Sequence, residues 1–437
     1  MLIKNITLID DNYDVIKDTN IVIEGNIISY IGKDIPENYT GYIYDGKNKV
    51  AVPGFFNMHC HVPMTLIRGY GEGLPLNRWL SEKIWPFESF LTDEDCYYGA
   101  LLGISEMIKS GVVSFNDMYF NLEGILKAVY ETGIKANLSY GYVDVTENQD
   151  YFKGNAYKQT KMLNDYIKGT NTDRIKADVS IHAVYTSSEN SVRKISEYCN
   201  STNMNMHIHL SETELEIKEC KKRFGVTPVE YFFNCGTFKS NTIAAHCVHL
   251  EEDDFNILKE NNVTVAHCPS SNLKLGSGIA PLKSMLEHGI NVTIGTDGAA
   301  SNNNLNMIEE VNLAALLHKG INKDPLVLST KEIMKISSLN GAKAQGRKDC
   351  GSIKIGNRAD IVIYDFDKPH LKPVYDVLAN LIYSAQSDDI CLTIIDGNIV
   401  YKDRTFTNID IEKVYYNINK IKNQKLKMIS NMGDNII

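Results

Sequence analysis

His59 and His61 stand two residues apart at the end of an apolar run, in the order His59-Cys60-His61. In an extended chain, residues i and i+2 point to one side, so both imidazoles can face a common cation while Cys60 faces away. More groups able to ligate or to move protons recur downstream: His209, Glu212, His246 and Asp297. Imidazole and carboxylate together suit zinc or another borderline first-row ion, and three or four protein ligands leave a position open for water. A cation so held lowers the pKa of its water from ~15.7 toward ~7, so a strong nucleophile exists at neutral pH. Taken singly, each residue also reads as a hydrogen-bonded core histidine, a capping aspartate or a solvated glutamate at a helix start. What favours chemistry is their joint placement, and the surrounding elements set that placement.

From residue 52 to residue 294, short apolar runs alternate with helix-length amphipathic stretches. The runs cover 52–56, 112–115, 135–140, 177–181, 204–208, 242–245, 263–266 and 291–294. Alternating β and α units predict a parallel sheet, and this many of them predict a closed (β/α)₈ barrel of the TIM type, within the α/β class. His59 and His61 follow the first run, His182 the fourth, His209 and Glu212 the fifth, His246 the sixth and Asp297 the eighth. That is the C-terminal rim, where such barrels carry their active sites. A doubly wound open sheet would want a glycine-rich phosphate loop after its first strand, and Gly69, Gly71 and Gly73 do not follow a strand in that way.

Both ends of the chain are strand-like. Runs at 2–9, 19–23 and 27–31 are broken by Asp10-Asp11-Asn12 and Gly25-Asn26, and runs at 360–364, 391–395 and 399–401 surround Asp396-Gly397-Asn398. The two pieces are expected to pair into one small β domain from residues 1–54 and 350–405, leaving 55–349 as the barrel. In the remaining tail, 406–437, Ile411, Val414, Ile418 and Ile421 fall at helical spacing. They predict a helix docked on its own barrel, with a subunit contact in a homo-oligomer as the lesser reading.

Composition narrows the class further. With 45 Lys+Arg against 54 Asp+Glu, the net charge is −9 and no basic block occurs, which argues against a nucleic-acid partner. Hydrophobic residues make up 43% of the chain, enough for a core and incompatible with general disorder. No apolar run reaches the ~18 residues of a membrane span. The N-terminus lacks a signal-peptide pattern, and nine cysteines scattered without CxxC pairs point to a reducing, cytoplasmic setting.

Several longer stretches then make a family pattern. They are Pro53-Gly54-Phe55-Phe56-Asn57-Met58-His59-Cys60-His61, Met64-Thr65-Leu66-Ile67-Arg68-Gly69 and His209-Leu210-Ser211-Glu212-Thr213. They continue with His267-Cys268-Pro269-Ser270-Ser271-Asn272-Leu273-Lys274-Leu275 and Gly295-Thr296-Asp297-Gly298-Ala299-Ala300-Ser301-Asn302. The last is Gly351-Ser352-Ile353-Lys354-Ile355-Gly356-Asn357-Arg358-Ala359-Asp360-Ile361-Val362. In order and spacing the chain resembles the amidohydrolase superfamily, in particular its branch of methylthioadenosine/S-adenosylhomocysteine deaminases and their chlorohydrolase relatives.

The resemblance implies a distorted (β/α)₈ barrel with a small β-sandwich made from both termini, and a single divalent metal. It implies His59, His61, His209 and Asp297 as ligands of that metal, most simply Zn²⁺, with Fe²⁺, Mn²⁺ or Ni²⁺ also suited. It further implies Glu212 as the proton carrier at the substrate, and His246 and Asp297 as acceptors of the water's proton. Trp79 and His182 would contact a nucleoside, and Glu88 its ribose, since a carboxylate can accept two hydrogen bonds from a vicinal diol. No carboxylated lysine is implied, because the fourth run ends at His182. The implied activity is an aminohydrolase converting an adenine nucleoside to its inosine analogue and ammonia.

One departure bears on substrate. Members that take S-adenosylhomocysteine carry arginines after the third strand, whereas here residues 138–145 place Tyr140 at the first position and Phe152 near the second. Neither tyrosine nor phenylalanine can form a bidentate clamp, and Lys153 offers a point charge only. Adenosine, 5′-deoxyadenosine and methylthioadenosine are therefore expected to be handled better than S-adenosylhomocysteine. The alternatives on the same frame are a guanine or other heterocycle deaminase and a triazine chlorohydrolase. A non-catalytic scaffold barrel is the remote reading, because scaffolds lose ligands and every position here is filled.

Overall fold

The computed structural model describes residues 1–35, 39–144, 150–170 and 172–433. Val145 of the stretch compared above and residues 434–437 of the tail lie outside them. The central body is a sheet of parallel strands wrapped into a nearly closed barrel. Its strands in chain order are Phe55–Cys60, Val112–Tyr119, Lys135–Tyr142, Val179–Ile181, Met206–Leu210, Thr242–His246, Thr264–His267 and Asn291–Ile294, each paired in parallel with the next. The last strand returns to the first, where Asp297 N–H donates to the His59 carbonyl at 2.9 Å. The approach there requires Gly295, because a Cβ on it would lie 2.8 Å from the His59 nitrogen. The strands are buried along their lengths, as covered parallel strands must be.

Helices between strands start and stop on local signals. Thr92 and Asp95 form a capping box ahead of helix Asp93–Lys109. Thr213 caps helix Glu214–Phe224, which ends on Gly225 at φ +79°.

The run at 52–56, expected to be one strand, is divided. Lys49–Pro53 belongs to the terminal sheet and Phe55–Cys60 to the barrel, with Gly54 as the joint. Gly54 N–H donates to Asp360 O at 3.1 Å in the terminal sheet, and the next N–H, on Phe55, donates to Gly111 O at 2.9 Å in the barrel. A side chain at this crossing would strike Val113.

Both chain ends form one continuous nine-stranded sheet, in which Lys49–Pro53 pairs with Leu2–Ile9 on one side and with Ile361–Asp365 on the other. A bridge between Ile27 and Arg358 brings distant parts of this sheet together. The sheet thus curls over its own core of Ile3, Ile21, Ile361, Ile363 and Leu392. The small domain built from both termini is thus one sheet folded over on itself. Buried Lys135, on the third barrel strand, joins the two bodies by ion pairs to Asp360 and, at 2.7 Å, to Asp396. Strand Thr405–Phe406 still belongs to the terminal sheet, and helix Ile411–Gly433 then packs on helix Asp93–Lys109. Among the described residues, no helix is long and apolar enough to cross a membrane.

Candidate active site

The barrel rim gathers the polar residues into one cluster. The His59 and His61 rings lie 4.9 Å apart and nearly perpendicular at the end of the first strand. The His209 ring is 4.8 Å from that of His59 and 5.2 Å from that of His61, and His246 stacks 5.4 Å from His209. Asp297 Oδ1 stands 3.3 Å from His61 Nε2 and 3.5 Å from His59 Nε2. Ligand atoms of His59, His209 and His246 lie within 4.8 Å of one another, as do those of His59, His61 and Asp297.

The backbone is bent to achieve this. Ser211, His246, Cys247 and Asp297 adopt φ of +52°, +74°, +48° and +61° at or just beyond the ends of their strands. Each such conformation costs roughly 1–3 kcal/mol and persists only where the surroundings enforce it. Here the enforcing bonds run from Ser211 N–H and Glu212 N–H to the Glu216 carboxylate, at 3.1 and 2.8 Å, and from Gly298 N–H to Asp297 Oδ1 at 2.6 Å.

Hydrogen bonds fix the direction in which each ring presents its lone pair. His61 Nδ1–H donates to the Met118 carbonyl, and His209 Nδ1–H donates to the His182 carbonyl at 2.7 Å. Their Nε2 atoms, 3.2 Å apart, therefore carry lone pairs and no proton to share. His59 Nε2 is buried without any hydrogen-bond partner, while its Nδ1 lies 2.9 Å from His207 Nε2. Burial pushes His59 down to about 4 and holds His61 and His209 below the ordinary histidine range. Burial alone would raise the Asp297 carboxyl, but the histidines around it outweigh that and hold it well below the usual range. Neutral imidazoles with converging Nε2 lone pairs, beside an ionised carboxylate, make a donor set suited to a divalent cation.

Glu212 stands beside this cluster. Its carboxyl is buried, accepts from Ser277 Oγ–H at 3.2 Å, and lies 4.0 Å from His246 Nε2. Burial raises its pKa, opposed by His246. His246 donates from Nδ1 to Asn272 Oδ1 at 2.9 Å. Burial works against its charge, yet Glu212 and Asp297 raise its pKa on balance.

A cavity of about 430 Å³ opens over the cluster. His61, His182, His209, Glu212, His246 and Asp297 all contribute to it, and so do Trp79 and Glu88 from the segment after the first strand. Trp79 donates its indole N–H to Tyr70 O at 3.3 Å. Glu88 accepts from the Tyr119 hydroxyl at 2.7 Å, and burial pushes its carboxyl up to about 8. The Tyr119 ring lies 6.5 Å from that of His61, so Glu88 and the cluster share one space. His182 Nδ1 is 3.3 Å from Thr186 Oγ1, and burial depresses this ring to about 3.

Tyr140 and Phe152 do not line the cavity. Gly141 on the third strand and Val143 just past its end face it, and alternation turns Tyr140 away. Phe152 is exposed beside Tyr151, Tyr157 and Tyr198. Among the described residues, no arginine or lysine lines the cavity.

Sequence reasoning missed the supports of this site: His207, Glu216, Ser271, Asn272 and Ser277. Ser271 Oγ–H donates to Asp297 Oδ2 at 2.6 Å. The signal for His207 was present, since His207-Ile208-His209 repeats the His59-Cys60-His61 spacing. Glu216 carried none, because its partners are backbone N–H groups.

An eight-stranded parallel barrel with imidazoles and a carboxylate converging on its C-terminal rim defines a barrel hydrolase of the metal-binding kind. The chain belongs to the amidohydrolase family, whose model matches residues 50–400. It is 42% identical over 423 residues to a 5-methylthioadenosine/S-adenosylhomocysteine deaminase of Thermoanaerobacter pseudethanolicus, covering 96% of this chain and 98% of that one. It is 44% identical over 419 residues to a 5′-deoxyadenosine deaminase of Methanocaldococcus jannaschii, covering 95% and 97%. Among solved structures, an adenosine deaminase from Xanthomonas campestris with bound zinc superposes with a TM-score of 0.92 at 27% identity, covering 98% of each chain.

Proposed function

We propose that this protein hydrolytically deaminates an adenine nucleoside. Water adds its oxygen to the amine-bearing ring carbon, the C–N bond breaks, and ammonia and the inosine analogue leave. The observation that carries this reading is a single cavity joining a lone-pair cluster, a buried glutamic acid and a second, diol-competent carboxylate. The relatives named as deaminases of adenine nucleosides support it.

His59, His61, His209 and Asp297 are the residues suited to hold the divalent ion. Zinc fits that donor set and is bound in the crystal structure of the Xanthomonas deaminase, while iron, manganese and nickel accept the same ligands. Such an ion supplies Lewis acidity and ionises water near neutral pH. Glu212, whose raised pKa keeps its proton to higher pH than an ordinary glutamic acid, protonates the ring nitrogen beside the reacting carbon. His246, with Nδ1–H committed to Asn272, offers Nε2 as a base and then returns the proton to departing ammonia. The Glu88 carboxyl hydrogen-bonds the ribose diol, with one oxygen steadied by Tyr119. Trp79 and His182 flank the nucleoside.

A carboxylate on the 5′ substituent would find no cation among the described residues that line the cavity, which favours adenosine, 5′-deoxyadenosine and 5′-methylthioadenosine. Ammonia release from these nucleosides, S-adenosylhomocysteine and guanine, with chloride release from a chlorotriazine, tests the proposal. The neutral nucleosides should give the highest kcat/KM. Clear preference for S-adenosylhomocysteine would refute the specificity, and turnover of guanine or the triazine alone would refute the activity.

A further inference from the structure

Helix Ile411–Gly433 lies outside the cavity, but its most buried polar group reaches the segment that carries Glu88. Lys425 is 5% exposed, although a lysine near a chain terminus is ordinarily solvated. Its Nζ donates to the Phe90 carbonyl at 2.8 Å and pairs with Asp95 Oδ2 at 2.6 Å. The same Asp95 oxygen accepts from Thr92 N–H at 2.9 Å and from Thr92 Oγ–H at 2.8 Å. One ammonium therefore secures both the start of helix Asp93–Lys109 and the turn before it. In that turn Leu91 N–H donates to Glu88 O at 3.0 Å and Phe90 N–H to Phe87 O at 3.2 Å. The chain has little slack between Lys425's anchor at Phe90 and the Glu88 side chain two residues earlier.

We propose that Lys425 is a positioning residue for substrate, fixing through the turn at 88–92 the reach of the Glu88 carboxylate toward the ribose diol. This rests on the reading of Glu88 as the diol's partner. Displacing a binding group by a fraction of an ångström weakens its bond to substrate without touching the reacting atoms, so the loss falls on KM rather than kcat. A purely structural fastener would instead lower stability and leave the choice between diol and deoxy substrates alone.

The test compares adenosine with 2′,3′-dideoxyadenosine in the full-length, metal-loaded enzyme and its Lys425→Met, Lys425→Arg and Glu88→Gln variants. Lys425→Met should raise KM for adenosine about tenfold, with kcat held within about twofold. The dideoxy substrate's KM should not move, and Lys425→Arg should restore most of the loss for adenosine. In a Glu88→Gln background, Lys425→Met should add nothing. An additive effect there, or an equal rise for both substrates, overturns the proposal while leaving the diol reading intact. An adenosine KM that ignores Glu88→Gln overturns the diol reading and this proposal with it. Because Lys425→Met strands the Asp95 charge, Asp95→Asn/Lys425→Met is made as well. It should regain melting temperature yet keep the raised KM, and recovery of both together would show that Lys425 only holds the fold.

Discussion

Replacing His207 with leucine should weaken metal binding without altering any ligand. His59 can present a lone pair at Nε2 only if its proton sits on Nδ1, and the partner for that proton is His207 Nε2 at 2.9 Å. Both rings are buried, and burial keeps His207 neutral well below the ordinary histidine range, so it can accept. Leucine removes a hydrogen bond worth about 1 kcal/mol and leaves a buried N–H that costs about 1–3 kcal/mol more. At 1.4 kcal/mol per factor of ten, that sum of about 2–4 kcal/mol is a loss of affinity of roughly 30- to 700-fold, overlapping at its lower end the roughly 10- to 100-fold usual for partners of metal-bound histidines. The assay is zinc titration of chelator-stripped protein against a competing indicator, with circular dichroism as a check on the fold. Affinity within twofold of wild type, in a protein where His59→Ala abolishes binding, would refute the tautomer argument.

Glu212→Gln should lower kcat by about 10²- to 10⁴-fold with little change in KM and full metal content, measured by steady-state kinetics and metal analysis. Glu310 gives a test of pH dependence away from the ligands. Burial raises its carboxyl to about 7 in the folded protein, against an ordinary 4.5. The folded state thus holds that proton more tightly. Its contribution is complete below 4.5 and is lost as pH rises through 7, so wild type should lose on the order of 3 kcal/mol relative to Glu310→Gln over that window. Denaturant titrations at several pH values check it, and parallel curves for the two proteins would contradict it. Lys135→Met, which strands buried Asp360 beside Asp396, should destabilise by about 3–5 kcal/mol, and an unchanged melting temperature would count against that pairing.

Much of the barrel was legible because its strands are short apolar runs that end on polar residues, as at Thr242–His246 and Thr264–His267. The place where that reasoning slipped, residues 52–56, is where a glycine hands the chain from one sheet to another, and an apolar run does not reveal which sheet it will join. Strand four is likewise preceded by a break at Asp178, whose carboxylate accepts from Asn116 and Asn137 across the barrel. Site residues with intrinsic chemistry stood out in the sequence. Their supports did not, since Asn272 and Ser277 acquire meaning only from partners such as His246 and Glu212 on other strands. The same holds for Lys425, whose partners Phe90 and Asp95 lie more than three hundred residues away. The orientation of Tyr140 was readable from strand alternation alone, which already separates it from Gly141.

In the proposed reaction His59, His61, His209 and Asp297 would hold one divalent ion, and Glu212 beside them would serve deamination of an adenine nucleoside. Titrating chelator-stripped protein with zinc while following conversion of 5′-deoxyadenosine to 5′-deoxyinosine tests it most directly. Turnover should be absent without metal and should rise until it levels off at one equivalent per chain. Turnover that ignores the metal, or a fully loaded protein that leaves every adenine nucleoside untouched, would contradict it.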